Sequence, residues 1–324
     1  MFEIVFLGTS ASAPSIHRGL SGQIVICRDH RFLIDCGEGT QRQILKSGLG
    51  FRRLEHILIT HGHLDHILGL AGLLSTFVRW EAFERLGIYG SPRALARVRD
   101  LIYGIVLGPA ADRYPLNIVE TWPGSIMETK YFALSAFKVL HRGAQCLGYA
   151  FEEPEHRPFL AEKAEALGVP FGPERSQLVR GESITLEGGR VIEPSDVLAD
   201  AIPGAKLVHV GDAGDTGTLI EPARGATCLV IEATYLHRDV EIARQFGHLT
   251  ARDAAELAIK AEVDTLILTH ISRRYFERDV LAEARGIFPD SYVARDFDRF
   301  QITREGVRKV EDAPREEDDL EISE

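Results

Sequence analysis

The sequence predicts an α/β protein in which two mixed sheets pack face to face with helices outside, an αββα sandwich. Three observations predict it. Short apolar, β-branched runs recur over residues 3 to 140 and again over 206 to 305, each followed by helical stretches. One such run opens directly into Thr60-His61-Gly62-His63-Leu64-Asp65-His66, which crowds four metal-binding side chains into six residues. A chain of 324 residues at 45% hydrophobic is long enough to bury one large core.

Taken in order, the first strand covers Phe2 to Leu7, and Glu55 to Thr60 forms a strand buried on both faces. The metal-rich loop therefore opens at a strand's C-terminal end. Ile67 to Leu74 reads as a helix packed on the sheet, with Gly69 and Gly72 as weak points. Three later strands end on a ligand-type residue: Phe132 to Leu140 at His141, Lys206 to Val210 at Gly211-Asp212, and Asp264 to Thr269 at His270. Thr250 is placed to cap a helix over Ala251 to Ala261. His56 and His209 fall within strands, and His17, His30, His156 and His237 in polar loops, so none is expected to bind metal.

Imidazole together with carboxylate suits zinc, manganese or iron, whereas magnesium and calcium sites are nearly all oxygen. Four ligands in six residues do not converge easily on one ion. The spacing suggests two: His61 and His63 serve the first, while Asp65 and His66 turn toward the second.

At these residues the chain resembles the metallo-β-lactamase superfamily, whose HxHxDH signature is matched by His61, His63, Asp65 and His66. Within it the chain is similar to the ribonuclease Z family, the endonucleases that trim the 3′ trailer of precursor tRNA, through segments from residue 3 to about residue 275. Leu7-Gly8-Thr9-Ser10, Asp35-Cys36-Gly37-Glu38-Gly39-Thr40-Gln41, Gly168 to Pro173 with Leu178 to Glu182, Glu232-Ala233-Thr234 and His248-Leu249-Thr250 carry the likeness. The resemblance implies a metal-dependent endoribonuclease with the metallo-β-lactamase-like fold. It would cleave by hydroxide attack on the phosphodiester, with two divalent ions per subunit: zinc first, manganese or iron as alternatives. By the same resemblance His61, His63 and His141 hold one ion, Asp65, His66 and His270 the other, and Asp212 bridges them. Asp65 accepts the proton of the attacking water, and His248, oriented by Glu232, donates one to the departing 3′-oxygen.

The segment 150–201 breaks the strand-helix rhythm and is rich in Pro and Gly, so it reads as an insertion into one domain formed by 1–149 and 202–310. Its part from Ser183 to Ile192 turns like a small hairpin. The resemblance makes the insertion a projecting arm, or exosite, that grips the tRNA elbow in trans within a homodimer. Gly172 and Pro173 belong to its glycine-proline element, and Arg157, Lys163, Arg175 and Arg180 are the substrate-binding candidates, with Arg190 beside them.

Net charge is −11, wrong-signed for a protein that binds phosphates. Its distribution matters more: residues 311–324 carry −7 and residues 150–201 carry −6, which leaves the body near +2. The acidic C-terminal run reads as a solvated, disordered tail. The loop Ala13 to Gly19 departs from the family's proline-threonine, arginine-asparagine pattern, and the His-Gly-His-Leu-Asp-His form also resembles the cyclic-nucleotide phosphodiesterases of this fold. A dinuclear phosphodiesterase acting on small substrates such as cyclic nucleotides is the alternative. Cys27, Cys36, Cys146 and Cys228 are scattered and expected to be reduced. With neither a signal peptide nor a membrane-length apolar run, a cytoplasmic protein without membrane association is expected.

Overall fold

The computed structural model describes residues 1–80, 85–108 and 116–310, so the acidic run at 311–324 lies outside the described residues. Phe2–Gly8 (β1), almost wholly buried, pairs antiparallel with Gly22–Cys27 (β2), and β2 with His30–Ile34 (β3). Leu54–Ile59 (β4), Leu86–Gly90 (β5) and Leu116–Glu120 (β6) then add in parallel. A second sheet begins with the antiparallel Gly124–Glu128 (β7), Ala133–His141 (β8) and Ala144–Glu152 (β9). After the short hairpin of Ile184–Thr185 (β10) with Val191–Ile192 (β11), it continues through Lys206–His209 (β12), Cys228–Glu232 (β13), Thr265–Thr269 (β14) and Ser291–Val293 (β15). Arg299–Thr303 (β16) returns to pair with β1, and Gly306–Val310 (β17) pairs with β16 at the edge. Among the described residues the two large sheets have eight and seven strands.

The helices are Thr40–Lys46 (α1), Leu64–Ile67 (α2), Leu70–Trp80 (α3), Pro92–Leu101 (α4), Ala161–Ala166 (α5), Pro173–Val179 (α6), Pro194–Val197 (α7), Ile220–Ala223 (α8), Val240–Phe246 (α9), Ala251–Lys260 (α10) and Glu277–Arg285 (α11). Between the sheets, Phe2, Phe6, Phe32 and Phe300 meet Tyr149, Phe151 and Leu207, with the Phe32 and Phe151 rings 5.2 Å apart. A second cluster seals the first sheet under α1, α3 and α4, and a third seals β12 to β14 under α8, α10 and α11. Each large side chain so buried contributes roughly 1.5–3 kcal/mol. The parallel strands β13 and β14 have helices on one face and the first sheet on the other, which is why CLVIE and TLILT are buried throughout.

The helix expected over Ile67 to Leu74 is two. α2 ends at Ile67 and α3 begins at Leu70 because Gly69 backs onto the Gly37 carbonyl, where a Cβ would lie 1.9 Å from the oxygen. The helix expected after Thr250 is present as α10. Thr250 and Asp253 cap it reciprocally, each side chain taking the other's backbone N–H.

The chain divides into two compact units: Met1–Glu152 with the chain from Ala205, and Glu153–Gly204. β9 runs through Glu152, past the residue 150 at which the sequence starts the insertion. The smaller unit has its own core of Ala164, Val169, Leu178, Ile184, Ile192 and Val197.

Candidate metal centre

All the ligand-type side chains lie where strands give way to loops or helix starts. Thr60 and His61 follow β4; His63, with φ −70° and ψ 154°, is the N-cap of α2. Asp65 and His66 therefore fall in that helix's first turn. His141 is the last residue of β8, Asp212 follows β12, and His270 follows β14 at φ +56°.

Asp212 joins two groups. Its Oδ2 lies 3.6 Å from His61 Nε2 and 3.9 Å from His141 Nε2, while its Oδ1 lies 3.4 Å from His66 Nε2 and 3.3 Å from His270 Nε2. Asp65 Oδ2 completes the second group, 3.6 Å from His66 Nε2 and 3.5 Å from His270 Nε2. His63 completes the first, its Nδ1 2.9 Å from His61 Nε2. His66 Nε2, His141 Nε2, His270 Nε2 and Asp212 Oδ1 are buried without a hydrogen-bond partner. Each such orphan costs about 1–3 kcal/mol. Four of them converging among mixed imidazole and carboxylate donors fit divalent cations, and the ligand atoms fall into the groups His61, His63, His141, Asp212 and Asp65, His66, His270.

Charge follows the same division. Burial holds His61 well below the ordinary histidine range, His63 down to about 4, and His141 lowered, the neutral state a metal ligand requires. His66 is the exception: burial opposes its charge, but Asp212 and Asp35 hold it well above the ordinary value. For Asp212 and Asp65, burial is outweighed by neighbouring imidazoles, His270 and His66 foremost, which keep both carboxyls well below their usual range.

A further layer of residues fixes which ring nitrogen faces inward. Thr60 Oγ1 donates to Asp35 Oδ2 at 2.8 Å and so accepts from His61 Nδ1 at 3.0 Å, leaving Nε2 for the centre. His66 Nδ1 donates to Asp35 Oδ2 at 2.7 Å, and His141 Nδ1 to the Gly247 carbonyl at 2.6 Å. Thr234 Oγ1 donates to Glu232 Oε2 and accepts from His270 Nδ1 at 2.9 Å. His248 Nδ1 lies 3.0 Å from both oxygens of Glu232, and Glu232 Oε1 takes the Ala213 N–H at 2.7 Å. Burial alone would lower His248, yet the Glu232 charge and hydrogen bond push it up to about 9. Sequence reasoning named His248 and Glu232 but assigned no site role to Asp35, Thr60, Thr234 or Gly247. The available signals were the Asp35-Cys36-Gly37 strand end and the places of Thr60 and Thr234 beside His61 and Glu232.

The six expected non-ligand histidines stay outside both groups. His209 is nevertheless buried, with Nε2 3.1 Å from Gln23 Oε1, and His56 stacks on Phe32 at 5.0 Å.

In the smaller unit the substrate-binding candidates are scattered. Gly172 precedes α6 at φ 147°, and Pro173 is its first residue. The Arg175 guanidinium lies 3.6 Å from the centre of the Phe171 ring and donates to the Val169 and Pro170 carbonyls. Arg157 donates to the Ala199 carbonyl, and Arg180 pairs with Glu182. Arg175 and Arg180 share an open depression with Phe159, Ser176 and Val179; Lys163 lies on α5 and is not among its lining residues.

Residues 2–100 match the family model described as Anti-Pycsar protein Apyc1. The chain is 46% identical over 302 residues to Ribonuclease Z of Bradyrhizobium sp. (strain ORS 278), covering 93% of this chain and 100% of that protein. Among solved structures it is similar to human tRNase Z, short form, with a TM-score of 0.62 and 25% identity over 92% of this chain and 98% of that one. It also shares the fold of YhfI from Bacillus subtilis, a metallo-β-lactamase fold protein, with a TM-score of 0.64 and 17% identity over 92% and 98% of the two chains.

Proposed function

Because the chain belongs to the ribonuclease Z family, the hydrolytic endoribonucleases of tRNA 3′ processing, we propose that His61, His63 and His141 hold one divalent ion, Asp65, His66 and His270 a second, and Asp212 both, for the cleavage of precursor tRNA. The observation that carries the reading is Asp212, whose two oxygens face different histidine groups. Zinc is the proposed metal, since the donor set is mostly imidazole.

When bound, the ions lower the pKa of water toward ~7 and neutralise charge that develops on the phosphoryl oxygens. Asp65, held anionic, is the acceptor for the proton released at the attacking water. The bond from His248 Nδ1 to Glu232 leaves Nε2 as the nitrogen that carries a second proton to the departing 3′-oxygen, and the Glu232 charge keeps that proton available at neutral pH. Thr60, Asp35, Thr234 and the Gly247 carbonyl fix the rings and take no part in proton transfer. We further propose that residues 153–204 bind tRNA, that the protein works as a cytoplasmic homodimer, and that no membrane is involved; among the described residues no helix is long and apolar enough to cross one.

Single-turnover cleavage of an end-labelled precursor tRNA with a 3′ trailer tests the reading, with zinc-loaded protein against a chelated control. A metal-dependent cut after the discriminator base is expected. Hydrolysis of small phosphodiesters with no cut in the precursor would refute it.

A further inference from the structure

The loop between β1 and β2 reaches the metal centre at one point: Ser12 N–H donates to Asp65 Oδ2 at 3.0 Å. That oxygen is the one facing His66 Nε2 and His270 Nε2. Ser12 makes this bond at φ +60°, a conformation that persists in a non-glycine residue only where the surroundings impose it.

Two half-buried charged groups impose it. Arg18 donates through Nη1 to Thr9 Oγ1 and to the Ala294 carbonyl, both at 2.6 Å, and through Nη2 to Glu277 Oε2 at 2.9 Å. Asp296 accepts from Thr9 Oγ1 at 2.8 Å and from Gly19 N–H at 2.6 Å, and Gln43 Nε2 bonds the same carboxylate at 2.9 Å. Thr9 and Gly19 bracket Ser12, so the Arg18 and Asp296 network pins both ends of the loop. The bond from Ser10 N to the Gly19 carbonyl at 2.9 Å closes it, and Ala11 N and the Thr9 carbonyl tie it to Ile271, next to His270.

Resting on the assignment of Asp65 as a ligand, we propose that Arg18 and Asp296 are positioning residues for Asp65: they hold the loop so that Ser12 N–H keeps the carboxylate turned toward His66 and His270. Arg18 then serves the metal centre through the loop. Three of its five N–H donors are already committed within the protein. Supporting residues of this kind set ligand geometry, and their loss weakens metal binding about 10–100-fold.

Zinc binding to the full-length chain, titrated against a competing chelator, tests the proposal in Arg18→Gln and Thr9→Val. Thr9→Val keeps the volume while removing the hydroxyl that joins Arg18 to Asp296. Expected in both is a second zinc equivalent weakened about 10–100-fold with the first unchanged, and in precursor cleavage a fall in kcat at constant KM. Should Arg18→Gln fail to fold, Thr9→Val decides. Wild-type zinc binding with a KM that rises and worsens with salt would make Arg18 an RNA contact and overturn the proposal. Two tight zinc equivalents in Asp65→Ala would instead sink the ligand assignment, and the proposal with it.

Discussion

Asp35 Oδ2 lies 2.7 Å from His66 Nδ1 and accepts the Thr60 hydroxyl at 2.8 Å, so one carboxylate orients His66 directly and His61 through Thr60. The two rings belong to different candidate metal groups. Asp35 adopts φ +57°, which Asn tolerates as well as Asp. Asp35→Asn should therefore fold normally yet weaken zinc binding about 10–100-fold, because the neutral amide neither orients nor polarises the rings as a carboxylate does. Chelator competition measures this, and unchanged affinity would show that Asp35 is merely a buried structural acid.

Asp212→Ala removes the group that both histidine clusters face and leaves their buried ring nitrogens without a shared counter-charge. Turnover should fall to that of chelated wild type, and metal analysis should find less than the full complement of ions. Full activity with both ions retained would refute the bridge.

Glu232→Gln and His248→Ala separate proton transfer from metal binding. In both, kcat on precursor tRNA should fall about 10²–10⁴-fold while bound zinc is unchanged. Glu232 also accepts from Thr234 and from Ala213 N–H, which makes the glutamine variant the milder disturbance. Loss of metal in His248→Ala would make that histidine a ligand instead of an acid.

The residues of the two candidate groups were legible because the chemistry imposes residue type and position: HxHxDH marks one strand end, and His141, Asp212 and His270 each close a strand. Their supports were not. Thr60 and Thr234 look like ordinary strand-end threonines, and Gly247 contributes a backbone carbonyl that any residue could offer. What singles out Gly247 is its φ of +66° and a site where a Cβ would lie 2.7 Å from Arg142 Cγ, both invisible without coordinates. The break between α2 and α3 depends likewise on Gly69 meeting a carbonyl 32 positions earlier in the chain. The arginines of residues 153–204 could be counted in advance, but their engagement with Phe171, Ala199 and Glu182 could not.

His209 predicts a pH dependence of stability. Burial pushes it down to about 4, whereas an unfolded histidine titrates near 6.5. Between these values the unfolded state takes up a proton that the folded state refuses. Stability is thus fully present above pH 6.5 and declines as pH falls toward 4, by about 3 kcal/mol. In metal-free protein, His209→Gln should be less stable at pH 7 but lose less between pH 6.5 and 4, as read from urea midpoints. Parallel pH profiles for variant and wild type would exclude His209 as the source.

The last prediction concerns residues 153–204, which form a compact unit with a core of their own. Their ends lie side by side: a Cβ on Gly204 would sit 2.4 Å from the Glu153 carbonyl oxygen, and His156 pairs with Ile202. A short Gly/Ser linker in place of 154–203 therefore closes the gap at small entropic cost. If the unit binds tRNA, the shortened protein should hydrolyse a chromogenic phosphodiester at the wild-type rate while KM for precursor tRNA rises at least tenfold. The segment 150–201 carries net −6, so that affinity cannot come from bulk charge and has to come from local contacts such as the Phe171 and Arg175 stack. Phe171→Ala in the full-length chain should then reproduce part of the KM effect with no change on the small substrate. Equal losses on both substrates would point to damage in the body, and no loss on either would leave tRNA recognition to the metal-bearing unit alone.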